Sequence, residues 1–150
     1  MDAPEGITIT PAGGDDLPAV TALLAENSLP TEDVARHIGG FILARSVGKI
    51  AGSAGIEMFA DAALLRSVAV ATQFRRTGIG TALVAAMENR VRHDGIKEVY
   101  LLTETAEIFF RSRGYQTVAR DSAPETIRRT REFATICPST AVCMKKYLGK

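Results

Sequence analysis

The chain has 150 residues, of which 46% are hydrophobic, so it is long enough to form one domain with its own core. Its formal net charge of +1 gives no electrostatic reason to expect a nucleic acid or an anionic membrane as partner. No window approaches the roughly 18 apolar residues of a membrane span, and the acidic start MDAPEG is unlike a secretion signal. We therefore expect a single domain over residues 1–150 of a cytoplasmic protein.

The first half of the chain predicts one strand, two helices and a hairpin. GITIT alternates like a short strand, and LPAVTALLAEN follows as a helix whose Val20, Leu23 and Leu24 share one face. A second, short helix starts after Thr31 and ends at two glycines. FILARSVGKIAGSAGIEM then reads as two strands joined at residues 47–49, where a glycine permits a positive φ.

The second half alternates strands with helices. ALLRSVAVA is a nearly unbroken apolar run, as in a strand buried on both faces. From Gly78 the period becomes helical, with Ile79, Leu83, Met87 and Val91 four residues apart. After it come the strand EVYLLT, the short helix ETAEIFFRSRGY, a strand around YQTVAR, a helix over about 122–133 and the strand TAVCMKKYL. The order β-α-α-β-β-β-α-β-α-β-α-β predicts an α/β fold with a mixed sheet.

A basic, glycine-rich turn, RRTGIG, joins the apolar strand to the long helix. The first turn of a helix carries free backbone N–H groups and the positive end of the helix dipole. Gly78 and Gly80 keep side chains away from those groups, so a diphosphate can lie on the backbone beside Arg75 and Arg76. The two rival phosphate motifs, G-x-x-x-x-G-K-[ST] and G-x-G-x-x-G, are absent. The turn indicates a phosphate site, with a tight turn that binds nothing as the alternative.

From the hairpin to FFRSRGY the chain resembles the GNAT superfamily of acetyl-CoA-dependent N-acetyltransferases. The family motif [QR]-x-x-G-x-[GA] corresponds to RRTGIG, and the later Asn-x-x-Ala, aromatic and Gly-Phe signature corresponds to TETA, FF and GY. The resemblance implies acetyl-CoA as acetyl donor and a cofactor site formed by Val68, Ala69, Val70, Arg75, Arg76, Thr77, Gly78, Ile79, Gly80, Thr81, Thr103, Phe109 and Phe110.

The same resemblance implies a mostly antiparallel sheet of about six or seven strands with four or five helices, and a homodimer. Two positions depart from the family pattern. Phe110 stands where many members have a tyrosine that protonates the leaving CoA thiolate, and Thr103 replaces the asparagine that commonly contacts pantetheine. The CoA thiolate is then protonated by another group or by water, or it leaves without a proton donor.

A narrower resemblance is carried by LLRSVAV, LLTETAEIFF and REFATICPSTAVCMKK. These segments are similar to small N-acetyltransferases associated with arsenic-resistance operons. LLTETAEIFF is also similar to the acetyltransferase domain of the amino-acid N-acetyltransferases that act on glutamate. The resemblance implies an amino acid or an amino-acid-like arsenical or toxin as acceptor.

Acetyl transfer to an amine needs a base that removes the amine proton and a donor that polarises the thioester carbonyl. Glu57 is the first candidate base because it ends a long apolar stretch, with an exposed strand-end carboxylate as the alternative. Glu104 is the second, and as an early residue of a helix it also favours the helix N-terminus. The backbone N–H of Val68 or a neighbour is the carbonyl polariser by resemblance.

Three further residues are candidates for substrate binding. Arg66 alternates with Val68 and Val70 and so is expected on their face of the sheet. It binds a substrate carboxylate or, as we favour, pairs with Glu57 or with the glutamate of TETA. Ser67 and Thr105 carry hydroxyls that bind substrate or act as local caps.

The two cysteines, Cys137 and Cys143, are too few for a disulfide framework. Trivalent arsenic prefers paired thiols, but six residues of extended strand span roughly 20 Å, and only a turn at 138–139 brings the two together. Each cysteine is better explained as a small buried hydrophobe. A cysteine nucleophile would need a histidine as its base, and neither His37 nor His93 has a sequence context that makes it such a partner.

These observations together predict an N-acetyltransferase of a small primary amine that works by direct attack in a ternary complex without a metal. The expected partners are acetyl-CoA and the amine, with no nucleic acid and no membrane. The alternatives are a non-catalytic acyl-CoA-binding or sensing module, which the absence of a tyrosine at Phe110 leaves open, and an acetyltransferase of protein lysines or N-termini.

Overall fold

The computed structural model describes residues 3–149. The strands are β1 (Thr8–Pro11), β2 (Phe41–Ser46), β3 (Lys49–Met58), β4 (Ala63–Val70), β5 (Glu98–Thr103), β6 (Gln116–Thr117) and β7 (Val142–Tyr147). The helices are α1 (Leu17–Glu26), α2 (Val34–His37), α3 (Ile79–His93), α4 (Glu107–Ser112) and α5 (Glu125–Arg128), and Glu132–Ile136 form a π-helical turn. The predicted order of strands and helices is confirmed.

The strands follow the order β1-β2-β3-β4-β5-β7-β6 in one seven-stranded sheet. The β1–β2, β2–β3, β5–β7 and β6–β7 pairs are antiparallel, whereas β4 and β5 are parallel. The fold class expected from the family resemblance is therefore confirmed. A parallel pair needs a long crossover connection, and here α3 lies in the connection between β4 and β5.

The β2–β3 hairpin differs in detail from the prediction. Its turn has two residues, Val47 and Gly48, both with a positive φ (+48° and +78°), and Lys49 already belongs to β3. Two consecutive left-handed residues match the twist of the flanking strands. Glycine adopts this geometry freely, but a β-branched residue does so only under strain, and Val47 is 97% exposed.

The chain has two compact units. The first comprises residues 3–56 and Ser67–Asn89, and its core joins α1 and α2 to β2 and the end of β4. The predicted apolar face of α1 is buried in this core, and the predicted apolar face of α3 is also buried. This core contains Val20, Leu23, Leu24, Val34, Phe41, Leu43, Ala69 and Ala71.

A close approach within the first unit fixes the start of α3. A Cβ added to Gly52 of β3 would lie 2.9 Å from the Ala69 carbonyl oxygen, 2.9 Å from Leu83 Cδ1 and 3.0 Å from Ile79 Cγ2. No real side chain fits at those distances, so only glycine lets the first turns of α3 pack against β3 and β4.

The second unit comprises Glu57–Arg66 and the chain from Arg90 onward. Its core contains Ala62, Leu64, Tyr100, Ala123, Ile127, Phe133 and Cys143. Two predicted elements are shorter than expected. The strand around YQTVAR is only Gln116–Thr117, and the helix predicted to run to about Phe133 ends at Arg128. None of the helices in residues 3–149 is long and apolar enough to cross a membrane.

Candidate functional site

The RRTGIG turn lies in the first unit, between the 3₁₀ turn Thr72–Phe74 and the start of α3. Residues 75–78 are exposed. Gly78 has φ +89°, and a Cβ added there would meet only Pro4 Cγ, at 3.8 Å. The turn thus presents a glycine backbone and open space at the first turn of a 15-residue helix. That combination suits a diphosphate, which needs free N–H groups and close access to the backbone.

Strain in the same turn supports a role in ligand binding. Arg76 has φ +66°, a left-handed conformation that costs a non-glycine residue roughly 1–2 kcal/mol. Such residues persist where the surrounding structure holds them, and they concentrate at ligand clamps. Two cationic side chains, Arg75 and Arg76, thus lie in a turn that ends shortly before α3 starts at Ile79.

Hydrogen bonds to the end of α1 hold this turn in place. Glu26 accepts from the Thr72 amide at 3.1 Å and from the Thr72 hydroxyl at 2.7 Å, and Arg75 Nη2 donates to Asn27 Oδ1 at 2.8 Å. The hydrogen bonds from Thr72, together with Arg75, lower the pKa of Glu26, which keeps this carboxylate ionised. Arg75 is tied to the end of α1 by this hydrogen bond, whereas the exposed Arg76 is not, so Arg76 is the better placed of the two for a phosphate.

The strand that precedes the turn is irregular at Ser67. This residue has φ +56° in the middle of β4. A left-handed residue interrupts the two-residue alternation of a strand. The alternation therefore no longer places Arg66 on the same face as Val68 and Val70. After Ser67, Ala69 is buried and Val68 and Val70 are half-buried.

A buried ionic cluster lies in the second unit. Arg66 Nη1 is 2.9 Å from Glu57 Oε2, and Arg66 Nε is 3.5 Å from Glu132 Oε1. The exposed fractions of the three side chains are 0%, 10% and 5%, respectively. One guanidinium thus bridges two carboxylates away from solvent, where a charge is tolerated only with well-placed partners. Of the two alternatives expected as partners of Arg66, Glu57 and Glu104, the structure shows the pairing with Glu57, and Glu132 is a second partner.

Glu132 is the residue of this cluster that the sequence did not indicate. It opens the π-helical turn Glu132–Ile136, and π-helical turns are frequent at functional sites. Arg120 fixes the same segment by donating to the carbonyl oxygens of Phe133 and Pro138, both at 2.8 Å, and its guanidinium lies 5.6 Å from the centre of the Phe133 ring. Glu132 therefore reaches Arg66 from a segment that is itself clamped.

Comparison with known proteins identifies the family. A profile described as an acetyltransferase (GNAT) domain matches residues 37–117. An uncharacterised N-acetyltransferase of Chlorobaculum tepidum is 33% identical over 113 residues, which are 75% of this chain and 70% of the relative. The chain belongs to the GNAT acetyltransferase family. Members of this family are acyltransferases.

Longer relatives share only this domain with the GNAT chain. An amino-acid acetyltransferase of Neisseria meningitidis is 30% identical over 132 residues, 82% of this chain but 30% of that relative. The structure of an N-acetylglutamate synthase from Neisseria gonorrhoeae, complexed with coenzyme A and N-acetyl-glutamate, matches with a TM-score of 0.83 and 26% identity, and it covers 100% of this chain and 36% of that one. The chain thus spans about a third of these two proteins.

Three cofactor candidates of the GNAT chain, Thr103, Phe109 and Phe110, lie in the second unit. Thr103 Oγ1 accepts a hydrogen bond from the Ala106 amide at 3.0 Å, so this hydroxyl closes the turn before α4. Phe110 is 5% exposed, and its ring meets those of Phe109 and Tyr115 edge-on, with centroids 5.0 and 5.6 Å apart. Phe110 is thus a packed core residue with no hydroxyl to donate.

Glu104 and Thr105 do not lie in a helix, contrary to the sequence-based expectation for Glu104. Helix α4 starts at Glu107, and both residues form an exposed bend before it. Glu104 Oε2 accepts from Thr140 Oγ1 at 3.5 Å, a long hydrogen bond. The alternative in which Glu104 only stabilises a helix N-terminus therefore does not apply. The solvent exposure of Glu104 makes this residue a weaker candidate base than Glu57.

The two cysteines of the GNAT chain are protonated at neutral pH. Burial and the nearby Glu132 carboxylate raise the pKa of Cys137 to about 12, and burial raises the pKa of Cys143 to about 11. Only the thiolate is a strong nucleophile and metal ligand. These pKa values therefore argue against Cys137 as an acetyl acceptor and against a ready thiolate pair for trivalent arsenic.

We expect the native protein to resist alkylation by iodoacetamide at pH 7.5, because both thiol pKa values lie far above that pH. Labelling should become faster as the pH rises through 9 and 10 and should be complete at pH 7.5 only in denaturant. Intact-mass spectrometry over a time course measures both. Rapid labelling of Cys137 in the folded protein at pH 7.5 would show a lowered pKa and reopen a thiol-based role.

Proposed function

We propose that this chain transfers the acetyl group of acetyl-CoA to the primary amine of a small molecule, an amino acid or an amino-acid-like compound. The observation that carries the proposal is the exposed turn at Gly78, where a left-handed glycine opens the first turn of α3 beside Arg76. Membership of the GNAT family supports the reaction type. The named amino-acid acetyltransferase relatives support the acceptor class.

The donor-binding groups in this proposal lie along β4 and in the turn before α3. The backbone N–H groups at the start of α3 bind the diphosphate of acetyl-CoA, and Arg76 adds a cation at its edge. Main-chain groups of Val68, Ala69 and Val70 pair with the pantetheine arm. The N–H of Val68 donates to the thioester carbonyl, where negative charge develops as the amine attacks.

The base in this proposal is Glu57. Glu57 accepts the proton that the ammonium form of the acceptor must lose before its nitrogen becomes nucleophilic. Arg66 holds the Glu57 carboxylate in one orientation through the 2.9 Å contact, and Glu132 holds Arg66. The most exposed of the three side chains is Glu57, at 10%, so this carboxylate is the one that an acceptor reaches first.

The proposed reaction balances in protons and bonds without a tyrosine. A C–N bond forms between the amine and the carbonyl carbon as the C–S bond breaks, and the electron pair of that bond leaves on the CoA sulfur. Glu57 takes one proton of the ammonium. The second proton released from the nitrogen neutralises the thiolate through water, because Phe110 has no proton to give.

The test is thiol release from acetyl-CoA across a panel of the common amino acids and amino-bearing phosphinates and arsenicals. We expect saturable, amine-dependent release with one acceptor and none with its N-acetylated form, which is the matched control for a blocked amine. Absence of release across the panel, with tight CoA binding by calorimetry, would contradict the proposal and favour an acyl-CoA sensor. Acetylation of peptide lysines alone would contradict the small-molecule acceptor class.

A further inference from the structure

A buried serine hydroxyl stands out among the apolar residues of β3. Ser53 is fully buried (0% exposed) between Gly52 and Ala54 in a strand segment that is buried from Ala51 to Ile56. Its Oγ donates a hydrogen bond to the main-chain carbonyl oxygen of Ser67, at 2.8 Å. A buried hydroxyl needs such a partner, and this one binds the carbonyl of the left-handed residue in β4.

The backbone hydrogen bonds show why β4 is irregular at this point. At one end of the β3–β4 pair the Ala71 amide donates to the Ala51 carbonyl, and at the other the Phe59 amide donates to the Ala62 carbonyl. Phe59 follows Ala51 by eight positions on the β3 side, whereas Ala71 follows Ala62 by nine positions on the β4 side. The extra residue makes a β-bulge, and a left-handed φ like that of Ser67 (+56°) is typical of a bulged position.

The bond from Ser53 also determines where the next amide points. The carbonyl of Ser67 and the N–H of Val68 belong to one planar trans peptide group, in which the two bonds point in opposite directions. Holding the carbonyl oxygen at the Ser53 hydroxyl therefore directs the Val68 N–H away from Ser53. A rotation of this peptide, which the bulge would otherwise permit, would turn the N–H with it.

We propose that Ser53 is a positioning residue for acetyl transfer: its hydroxyl fixes the Ser67–Val68 peptide so that the Val68 N–H polarises the thioester carbonyl. The inference rests on the proposed function, which assigns that role to the Val68 N–H. It adds a residue that touches neither the donor nor the acceptor. Its effect on catalysis is exerted through one backbone amide.

The test compares Ser53→Ala with Ser122→Ala, which removes another hydroxyl-to-carbonyl hydrogen bond, from Ser122 Oγ to Ala119 O, at an exposed turn. We expect Ser53→Ala to lower kcat about tenfold or more, since loss of one oxyanion donor costs about 10²–10³-fold and here the donor is loosened rather than removed. The Kd of CoA, which has no thioester carbonyl, should change by less than about threefold. Ser122→Ala should retain the wild-type kcat and Kd.

A spectroscopic readout tests the positioning role directly. In wild type, the infrared carbonyl stretch of bound acetyl-CoA labelled with ¹³C at the carbonyl should lie below that of the free thioester, because a donor polarises it. In Ser53→Ala it should return toward the free value. An unchanged stretch and kcat, or a loss of CoA affinity in parallel with a fall in Tm, would overturn the inference and leave Ser53 a structural residue.

Failure of the inference and failure of the proposed function are distinguishable in this design. The infrared measurement needs only acetyl-CoA and no acceptor. A wild-type protein that binds acetyl-CoA with a shifted stretch but acetylates no amine refutes the transferase proposal and leaves the positioning role supported. A wild-type protein that turns over an amine at the same rate as Ser53→Ala refutes the positioning role alone.

Discussion

Glu57→Gln is expected to lower kcat for amine acetylation by about 10²–10⁴-fold, the contribution typical of a general base. Glutamine keeps the size of the side chain and an oxygen that accepts from Arg66 Nη1, now 2.9 Å from Glu57 Oε2, but it cannot take the ammonium proton. The Kd of CoA should stay within about twofold, since the proposal gives Glu57 no contact with the diphosphate. Initial rates of thiol release and calorimetry measure the two quantities.

The matched control is Glu125→Gln, which removes an exposed carboxylate of α5 that pairs with Arg129, the residue directly after the helix. It should retain the wild-type kcat, because pairs of this kind contribute little even to stability. Breaking a buried pair costs roughly 3–5 kcal/mol when one partner is lost, so Tm is recorded and rates are compared well below it. A folded Glu57→Gln protein with the wild-type kcat would remove Glu57 from the mechanism.

The elements that the sequence predicted well are those whose pattern is decided by burial alone. EVYLLT forms β5 over Glu98–Thr103 as expected, and the apolar positions of α3 four residues apart are all buried. The helix predicted to reach about Phe133 ends earlier, at Arg128, and the hydrogen bonds of Thr130 explain the difference. The Thr130 hydroxyl donates to the Ile127 carbonyl and accepts from the Phe133 amide, which separates α5 from the π-helical turn. A local pattern does not reveal such a choice between two hydrogen-bonding arrangements.

The site was predictable to the extent that it is local in sequence. The turn before α3 is a continuous motif, so its glycines and arginines could be identified from spacing. The bulge in β4 could not, because glycine or asparagine ordinarily marks a left-handed position and here a serine occupies it. The partnership of Glu132 with Arg66 joins residues far apart in the chain, and a single sequence contains no signal for such a pair.

The other large expected effect concerns Gly78→Asp, which should weaken CoA binding about 100-fold or more, or at least ~2.7 kcal/mol. Aspartate tolerates a left-handed φ better than most residues, so the φ of +89° at this position is not the main obstacle. The added carboxylate would lie where the diphosphate binds. Two like charges about 4 Å apart near a protein surface repel by about 4 kcal/mol before screening by salt.

Two variants separate the charge from the backbone strain. Gly78→Asn has nearly the same shape without the charge and should weaken CoA binding only about tenfold, through steric crowding. Gly95→Asn places the same side chain at another glycine with a left-handed φ, +81°, in open space, and should bind CoA like wild type.

Calorimetric titration of CoA at two salt concentrations completes the test. Because salt screens charge repulsion, the difference in Kd between Gly78→Asp and Gly78→Asn should shrink at the higher concentration. A Gly78→Asp protein that binds CoA as tightly as wild type would show that the diphosphate does not lie on this turn. Equal weakening by Asp and Asn at both salt concentrations would mean that space at Gly78, rather than the positive field at the start of α3, determines the affinity.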